Sequence, residues 1–282
     1  MSSTVAYEQL CKTTVAYEQL CNKEDLKPLV MVKPDQSVVM IVADGHNGCE
    51  CIKIIENNAA KLCNAATVGT PEAIAEATRL CSHSDSGAML LCAKKYTTSA
   101  GSRLQVSSVG DCTCFVFDSN GVLIFEQELH SPATITPKNA ECYGFPIVKL
   151  DRPAPPIPNV AGNFELHAGS PCLAFQFAGV KLATWSFVGH FGFPRGKMIT
   201  SNIDLPSSGR IVLCSDGITD VLHPSALSHG TAEDILDRAK CKWFGKQKII
   251  TFHEDGSVSK RIDVYAPDAS FADDMSIIVH EF

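Results

Sequence analysis

The chain has 282 residues, a net charge of −7, 45% hydrophobic residues and 20% charged residues. This length and content suffice for a large globular core, and the negative charge argues against nucleic acid or an anionic membrane as a main partner. Its first residues lack the basic and apolar regions of a signal peptide, and no apolar stretch reaches the ~20 residues of a membrane helix. Thirteen scattered cysteines without zinc-knuckle spacing indicate reduced thiols in an intracellular compartment, the cytoplasm or the nucleus.

The N-terminus contains a perfect short duplication. Residues 4–11, TVAYEQLC, recur as residues 14–21. Two copies are too few for a stacked repeat architecture. We interpret them as a local duplication of which only the second copy is integrated into the fold, the alternative being an arm that docks on a partner. The predicted division is an N-terminal arm at 1–21 and one domain at 22–282.

The first third of this domain alternates between strand and helix patterns. Leu29–Val32 and Val38–Ala43 flank a turn and predict a β-hairpin. Residues 48–65 carry apolar residues at helical spacing and predict one helix. A second helix is expected after Thr70, which we interpret as its cap because proline follows at the first helical position.

The rest of the chain is mostly strand-like. Short apolar runs bounded by turn residues predict strands at Ala88–Cys92, Leu104–Val109, Cys114–Phe117, Val122–Phe125, Ile211–Cys214 and Met275–Val279. Asp118–Gly121 predicts a hairpin turn, Thr231 predicts a helix cap, and 249–265 predicts another hairpin. No linker interrupts these elements, so we expect one domain of the α+β class.

Four aspartates stand at the ends of apolar runs: Asp44, Asp111, Asp216 and Asp273. Singly, each is typical of a turn or a helix cap, but a carboxylate at the end of a buried strand is costly without a cation. Together they suggest one acidic site, and oxygen ligands suit Mg²⁺ or Mn²⁺. Gly45 would let its carbonyl approach such an ion, and His46 could protonate a leaving alkoxide.

Motifs around these aspartates follow one another in a recognisable order. They are Asp44-Gly45-His46, Ser86-Gly87-Ala88, Val109-Gly110-Asp111, His130-Ser131-Pro132, Ser215-Asp216-Gly217 and Asp273-Asp274. In this order they resemble the metal-dependent Ser/Thr protein phosphatases of type 2C, the PPM family. The resemblance spans about residues 24–282 and implies an αββα sandwich, in which two packed antiparallel β-sheets are flanked by α-helices.

The resemblance also implies a chemistry and a set of ligands. It implies two Mg²⁺ or Mn²⁺ ions, with a third, weaker position, and a metal-activated water that hydrolyses phosphoserine or phosphothreonine in a phosphorylated protein substrate. It assigns Asp44 as the bridging ligand, Gly45 as a carbonyl ligand, Asp216 and Asp273 to one ion, Glu24 and Asp25 to the other, Asp111 to the third position and His46 as the general acid. We expect a monomer.

The chain also departs from the family pattern. Leu20 stands where the eukaryotic members have an arginine that holds the substrate phosphate, and Lys23 is a candidate substitute with a point charge instead of a bidentate fork. Asp274 replaces the usual asparagine. The alternative interpretation is therefore a pseudophosphatase, a protein-binding module that has lost turnover. A third hypothesis, a metal-dependent nuclease, is disfavoured by the acidic charge and the lack of a basic stretch.

Overall fold

The structure, a computed structural model, describes residues 12–20, 24–46, 48–84, 86–127, 198–244 and 272–282 with their side chains. Elsewhere it describes only the backbone of six strands, which are 165–166, 174–177, 180–183, 188–189, 246–252 and 258–264. Within these ranges no helix is long and apolar enough to cross a membrane. The first copy of the duplicated segment lies outside the described residues.

The described elements alternate between strands and short groups of helices. The strands are β1 (Thr13–Glu18), β2 (Leu29–Val32), β3 (Val38–His46), β4 (Gly87–Thr98), β5 (Gly101–Val109), β6 (Thr113–Asp118), β7 (Leu123–Glu126), β8 (Glu165–Leu166), β9 (Ala174–Phe177), β10 (Val180–Ala183), β11 (Val188–Gly189), β12 (Ile199–Asp204), β13 (Gly209–Cys214), β14 (Lys246–Phe252), β15 (Val258–Val264) and β16 (Met275–Glu281). The helices are α1 (Glu50–Asn57), α2 (Ala59–Val68), α3 (Thr70–Leu80), α4 (Asp216–Thr219) and α5 (Ala232–Trp243), with a 3₁₀ turn at Pro224–Leu227.

Two antiparallel sheets form the centre of the molecule. The first has the strand order β1-β16-β13-β6-β7, and the second has the order β12-β5-β4-β3-β2, with β11 added on β4. Two smaller groups, β9-β10 and β8-β14-β15, complete the described strands. The second copy of the duplicated segment forms β1, which pairs with β16 at the edge of the first sheet. Assignment of residues 1–21 to a separate arm stays a prediction.

Three apolar layers hold the sheets and helices together. Between the sheets, Met40 and Leu91 of the second sheet pack in one cluster with Leu213 of the first. On the outer face of the second sheet, alternate residues of β3 such as Ile41 pack on α1, α2 and α3. On the outer face of the first sheet, α5 packs through buried residues that include Trp243. The order helix, sheet, sheet, helix confirms the predicted α+β sandwich.

Two local predictions for the helices were wrong. The single helix predicted over 48–65 is two helices, because the chain breaks at Asn58, whose side-chain amide donates to the carbonyl of Ile54 at 2.8 Å. Thr70 does not cap α3, since Gly69 holds the cap position. Thr70 is fully buried instead, and its hydroxyl lies 2.8 Å from that of Ser107 in β5.

The predicted cap of α5 and the predicted hairpins are confirmed. Thr231 and Asp234 form a reciprocal capping box at the start of α5. Asp118 closes the turn before β7, because its Oδ1 accepts from the N–H groups of Asn120 at 2.9 Å and Val122 at 2.8 Å. β2 pairs with β3, and β14 pairs with β15, each in antiparallel register.

Candidate metal centre

Strand ends of both sheets deliver carboxylates to one end of the sandwich. Asp44 lies near the end of β3 in the second sheet, and Asp111 follows β5 in the same sheet. Asp216 begins α4 directly after β13 of the first sheet. One carboxylate oxygen of each residue lies within 4.8 Å of the others. Three side chains that are far apart in the sequence therefore converge at one point.

Asp25 and Asp273 add negative charge to the same place. Asp25 precedes β2, Asp273 precedes β16, and the charges of both raise the pKa of Asp44. Glu24 lies beside this group, and its Oε1 accepts a hydrogen bond from the backbone N–H of Gly48 at 2.6 Å. The predicted ligand residues are thus close together, while their coordination of an ion stays a prediction.

Several carboxylate oxygens in this cluster have no donor. With the carboxyls ionised, no N–H or O–H group of a described residue donates to Oδ1 of Asp25, Oδ2 of Asp44, Oδ1 of Asp111 or Oδ1 of Asp216, and all four atoms are buried. No described lysine or arginine forms an ion pair with these carboxylates. Buried anionic oxygens are costly without a counter-charge, and such a set fits a hard divalent cation.

Crowding and burial raise the pKa values of these acids. Burial raises the pKa of Asp44 well above its usual value, and the charges of Asp216, Asp25, Asp273 and Asp111 raise it further. The pKa of Asp25 is raised to about 7, mainly by burial. The pKa of Asp273 is raised to about 8 by burial and by Asp216. The cluster therefore favours proton uptake unless a cation compensates the charge.

His46 borders the carboxylates at the end of β3. Its Nδ1 lies 3.4 Å from Oδ2 of Asp44. Burial lowers the pKa of His46, and the negative charges of Asp216 and Glu24 oppose that shift. The structure thus places the predicted general acid beside the acidic cluster.

Close backbone packing explains two glycines in the motifs. A Cβ on Gly45 would lie 2.4 Å from the carbonyl oxygen of Glu24. A Cβ on Gly217 would lie 2.0 Å from the carbonyl oxygen of Asp274. Both glycines let separate segments of the site approach one another, and carbonyl ligation by Gly45 stays a prediction.

Residues that the sequence interpretation did not select hold the acids in place. The hydroxyl of Ser215 donates to Oδ2 of Asp25 at 2.8 Å and accepts from the N–H of Ser276 at 3.0 Å. The indole N–H of Trp243 donates to the carbonyl of Gly217 at 2.7 Å. Ser215 and Ser276 flank the motif aspartates closely, which was an available signal. Trp243 comes from α5 and gave none.

Of the two positions considered for phosphate binding, Leu20 and Lys23, the structure describes Leu20. The side chain of Leu20 packs against the apolar cluster beneath α5, and its backbone N–H donates to Oδ1 of Asp274 at 2.6 Å. Lys23 lies outside the described residues. At the position expected to hold an arginine, this chain therefore has a half-buried apolar side chain that packs against the cluster.

Solved structures with the same fold include Ser/Thr phosphatases. A bacterial serine phosphatase, solved as a point mutant, aligns at 14% identity with a TM-score of 0.56, covering 96% of this chain and 97% of that one. The PPM Ser-Thr phosphatase MsPP from Mycobacterium smegmatis aligns at 15% identity with a TM-score of 0.52, covering 95% and 97%. Serine/threonine phosphatase Stp1 from Staphylococcus aureus aligns at 14% identity with a TM-score of 0.54, covering 96% and 94%. No protein-family model and no curated protein sequence matches the chain.

Proposed function

We propose that this chain is a Mg²⁺- or Mn²⁺-dependent protein phosphatase that hydrolyses phosphoserine and phosphothreonine. The observation that carries the proposal is the convergence of Asp44, Asp111 and Asp216, whose carboxylate oxygens lie within 4.8 Å of one another. Each of the three has a buried oxygen without a donor among the described residues. The phosphatase fold of the structural neighbours, at 14% to 15% identity, supports the reaction class.

Each acidic residue has a proposed task in the site. Asp44 would hold two ions at once, Asp216 and Asp273 would complete the shell of one, and Glu24 and Asp25 would serve the other. Asp111 would hold a third, weaker ion. Divalent ions bound there would supply a nucleophilic water and neutralise charge on the phosphoryl oxygens.

His46 would deliver a proton to the leaving oxygen of the substrate. Its Nδ1 faces Asp44 at 3.4 Å, so Nε2 is the atom proposed to carry the proton toward the serine or threonine oxygen. The nearby charges of Asp216 and Glu24 favour the protonated imidazole against the effect of burial. Lys23 is the proposed phosphate contact.

A phosphopeptide assay with Mn²⁺, with a chelator and in Asp44→Asn tests the proposal. The wild-type protein should release phosphate only with Mn²⁺, and Asp44→Asn should remove that activity. Asp237→Asn, an exposed site in α5, is the matched control and should retain it. Because Asp44→Asn removes one of several crowded charges, the metal-free variant should be at least as stable as wild type at pH 8, which separates site loss from misfolding. Metal-independent turnover, or turnover that survives Asp44→Asn, would contradict the proposal.

A second candidate function is binding of phosphoproteins or other partners without turnover. The half-buried side chain of Leu20 packs against an apolar cluster, and this position offers no guanidinium for a substrate phosphate. Mn²⁺ binding that depends on Asp44, without hydrolysis of any phosphopeptide, would favour this pseudophosphatase.

A further inference from the structure

Asp274 is a buried carboxylate that accepts two short hydrogen bonds from backbone N–H groups. Its Oδ1 accepts from the backbone N–H of Leu20, and its Oδ2 accepts from the backbone N–H of Glu24, both at 2.6 Å. The side chain is 1% exposed and has no lysine, arginine or histidine partner among the described residues. Both bonds are charge-assisted, and they compensate part of the cost of burying the carboxylate.

These contacts connect Asp274 with three segments of the acidic cluster. Glu24, whose backbone N–H bonds to Asp274, is one proposed ligand, and the next residue, Asp25, is another. The backbone N–H of Asp274 donates to Oδ1 of Asp273 at 2.9 Å. The carbonyl oxygen of Asp274 packs against Gly217, the residue after Asp216. A Cβ added to Gly217 would lie only 2.0 Å from that oxygen. A shift of Asp274 would therefore disturb all three segments, each of which carries proposed ligands.

A carboxylate suits this position better than an amide. Two N–H donors approach the two oxygens, and both oxygens of an ionised aspartate accept. An asparagine offers one accepting oxygen and one NH₂ group, so its NH₂ would face the N–H of either Leu20 or Glu24. One donor would lose its acceptor and meet a second donor. The usual asparagine of the resembled family would not make both bonds.

We propose that Asp274 is a positioning residue that sets Glu24 and Asp25 at the metal centre by holding the backbone N–H groups of Leu20 and Glu24. This inference rests on the proposed function, since it concerns ligands of the same ions. Asp274 acts through its neighbours and touches neither ion nor substrate.

Calorimetric titration of Mn²⁺ into wild type, Asp274→Asn and the control Asp237→Asn tests this inference. Outer-shell partners of metal ligands change metal affinity by about 10–100-fold, and we expect Asp274→Asn to weaken Mn²⁺ binding within that range. Asp237→Asn should bind like wild type. A purely structural role would lower the melting temperature in chelator while leaving the Mn²⁺ affinity unchanged, and that result would overturn the inference.

Amide hydrogen exchange of the wild-type protein gives a second test that needs no variant. If Asp274 holds both N–H groups, the amides of Leu20 and Glu24 should be protected in the metal-free protein. Rapid exchange at both positions would show that Asp274 does not hold these two N–H groups and would overturn the inference. Absence of any Mn²⁺ binding by wild type would overturn the metal-centre proposal together with this inference, whereas equal affinity in wild type and Asp274→Asn would overturn the inference alone.

Discussion

Leu20 connects two roles at the scale of a single residue. Its side chain packs against the cluster beneath α5, while its N–H is held by Asp274. An arginine here would give up part of this apolar packing or hold its charge beside the apolar cluster. Where the resemblance predicts an arginine that binds phosphate, Leu20 instead packs against an apolar cluster and bonds to Asp274 through its backbone.

We predict that Leu20→Arg destabilises the protein without providing a phosphate contact. The free energy of unfolding should fall by about 1–3 kcal/mol, because a charged side chain replaces packed apolar surface. Denaturant unfolding measures the change. Leu123→Arg is the matched control, since Leu123 is 38% exposed on β7 and should tolerate arginine. Equal costs at the two positions would contradict the packing role of Leu20.

Gly217, the residue after Asp216, gives another prediction at this scale. Gly217→Ala should lower the free energy of unfolding by about 1–3 kcal/mol, because its Cβ would collide with the backbone of Asp274. Gly69→Ala is the control. Its Cβ would meet mainly the flexible end of Glu72, so its cost should stay below about 1 kcal/mol. Thermal or denaturant unfolding of both variants would decide, and a tolerant Gly217 would be inconsistent with this packing.

At the scale of elements, the second copy of the duplicated segment completes a sheet. β1 pairs with β16, and the hydroxyl of Thr13 lies 2.8 Å from Nδ1 of the buried His280. Burial, together with the charges of Lys95 and Lys12, lowers the pKa of His280 to about 3. The junction of β1 and β16 therefore requires a neutral imidazole.

This junction predicts a loss of stability in mild acid. The folded pKa of His280 lies below its unfolded value of about 6.5, so its contribution is complete above that pH and falls as the pH drops toward 3. Between pH 7 and pH 5, wild type should lose about 2 kcal/mol more than His280→Gln. Denaturant unfolding at both pH values measures this difference, and identical pH dependence of the two proteins would contradict it.

Prediction of elements from sequence succeeded where apolar runs or turn chemistry were clear. The continuous apolar run of β3, the turn at Asp118 and the cap at Thr231 each specify local structure directly. β1 was not predicted as a strand, because it pairs with β16 near the other end of the sequence and short-range patterns do not reveal that pairing. β12 was missed because its run, ITSNID, is largely polar and pairs at an edge.

The candidate site was predictable to a similar degree. The aspartates could be found because each ends an apolar run and the motifs occur in order. The hydrogen-bond partners of Ser215, Trp243 and Asp274 could not be predicted, because these bonds join segments that meet only after folding. The packing of Leu20 depends on α5, which lies more than 200 residues away in the sequence.

At the scale of the whole molecule, the metal-free acidic site lowers the free energy of unfolding as the pH rises. The pKa values of Asp25 and Asp273 are raised to about 7 and about 8, above the unfolded value of 3.8. The folded protein therefore binds more protons than the unfolded chain between these limits, and this contribution to stability is lost as the pH rises from about 4 to 8.

Mn²⁺ should reverse this trend, because cations and protons compete for the same carboxylates. The increase in melting temperature caused by Mn²⁺ should be larger at pH 8 than at pH 5. Thermal unfolding with Mn²⁺ and with chelator at both pH values measures the increment. An increment that shrinks toward pH 8, with the metal still soluble, would argue against carboxylate ligation.

The proposed function requires that carboxylates from both sheets form one divalent-cation site. Calorimetric titration of Mn²⁺ into wild type, Asp44→Asn and Asp216→Asn tests it most directly, because these two aspartates come from opposite sheets. We predict saturable binding by wild type and strongly weakened binding by either variant, with Asp237→Asn unchanged. Absence of binding by wild type, or full binding by both variants, would contradict the account.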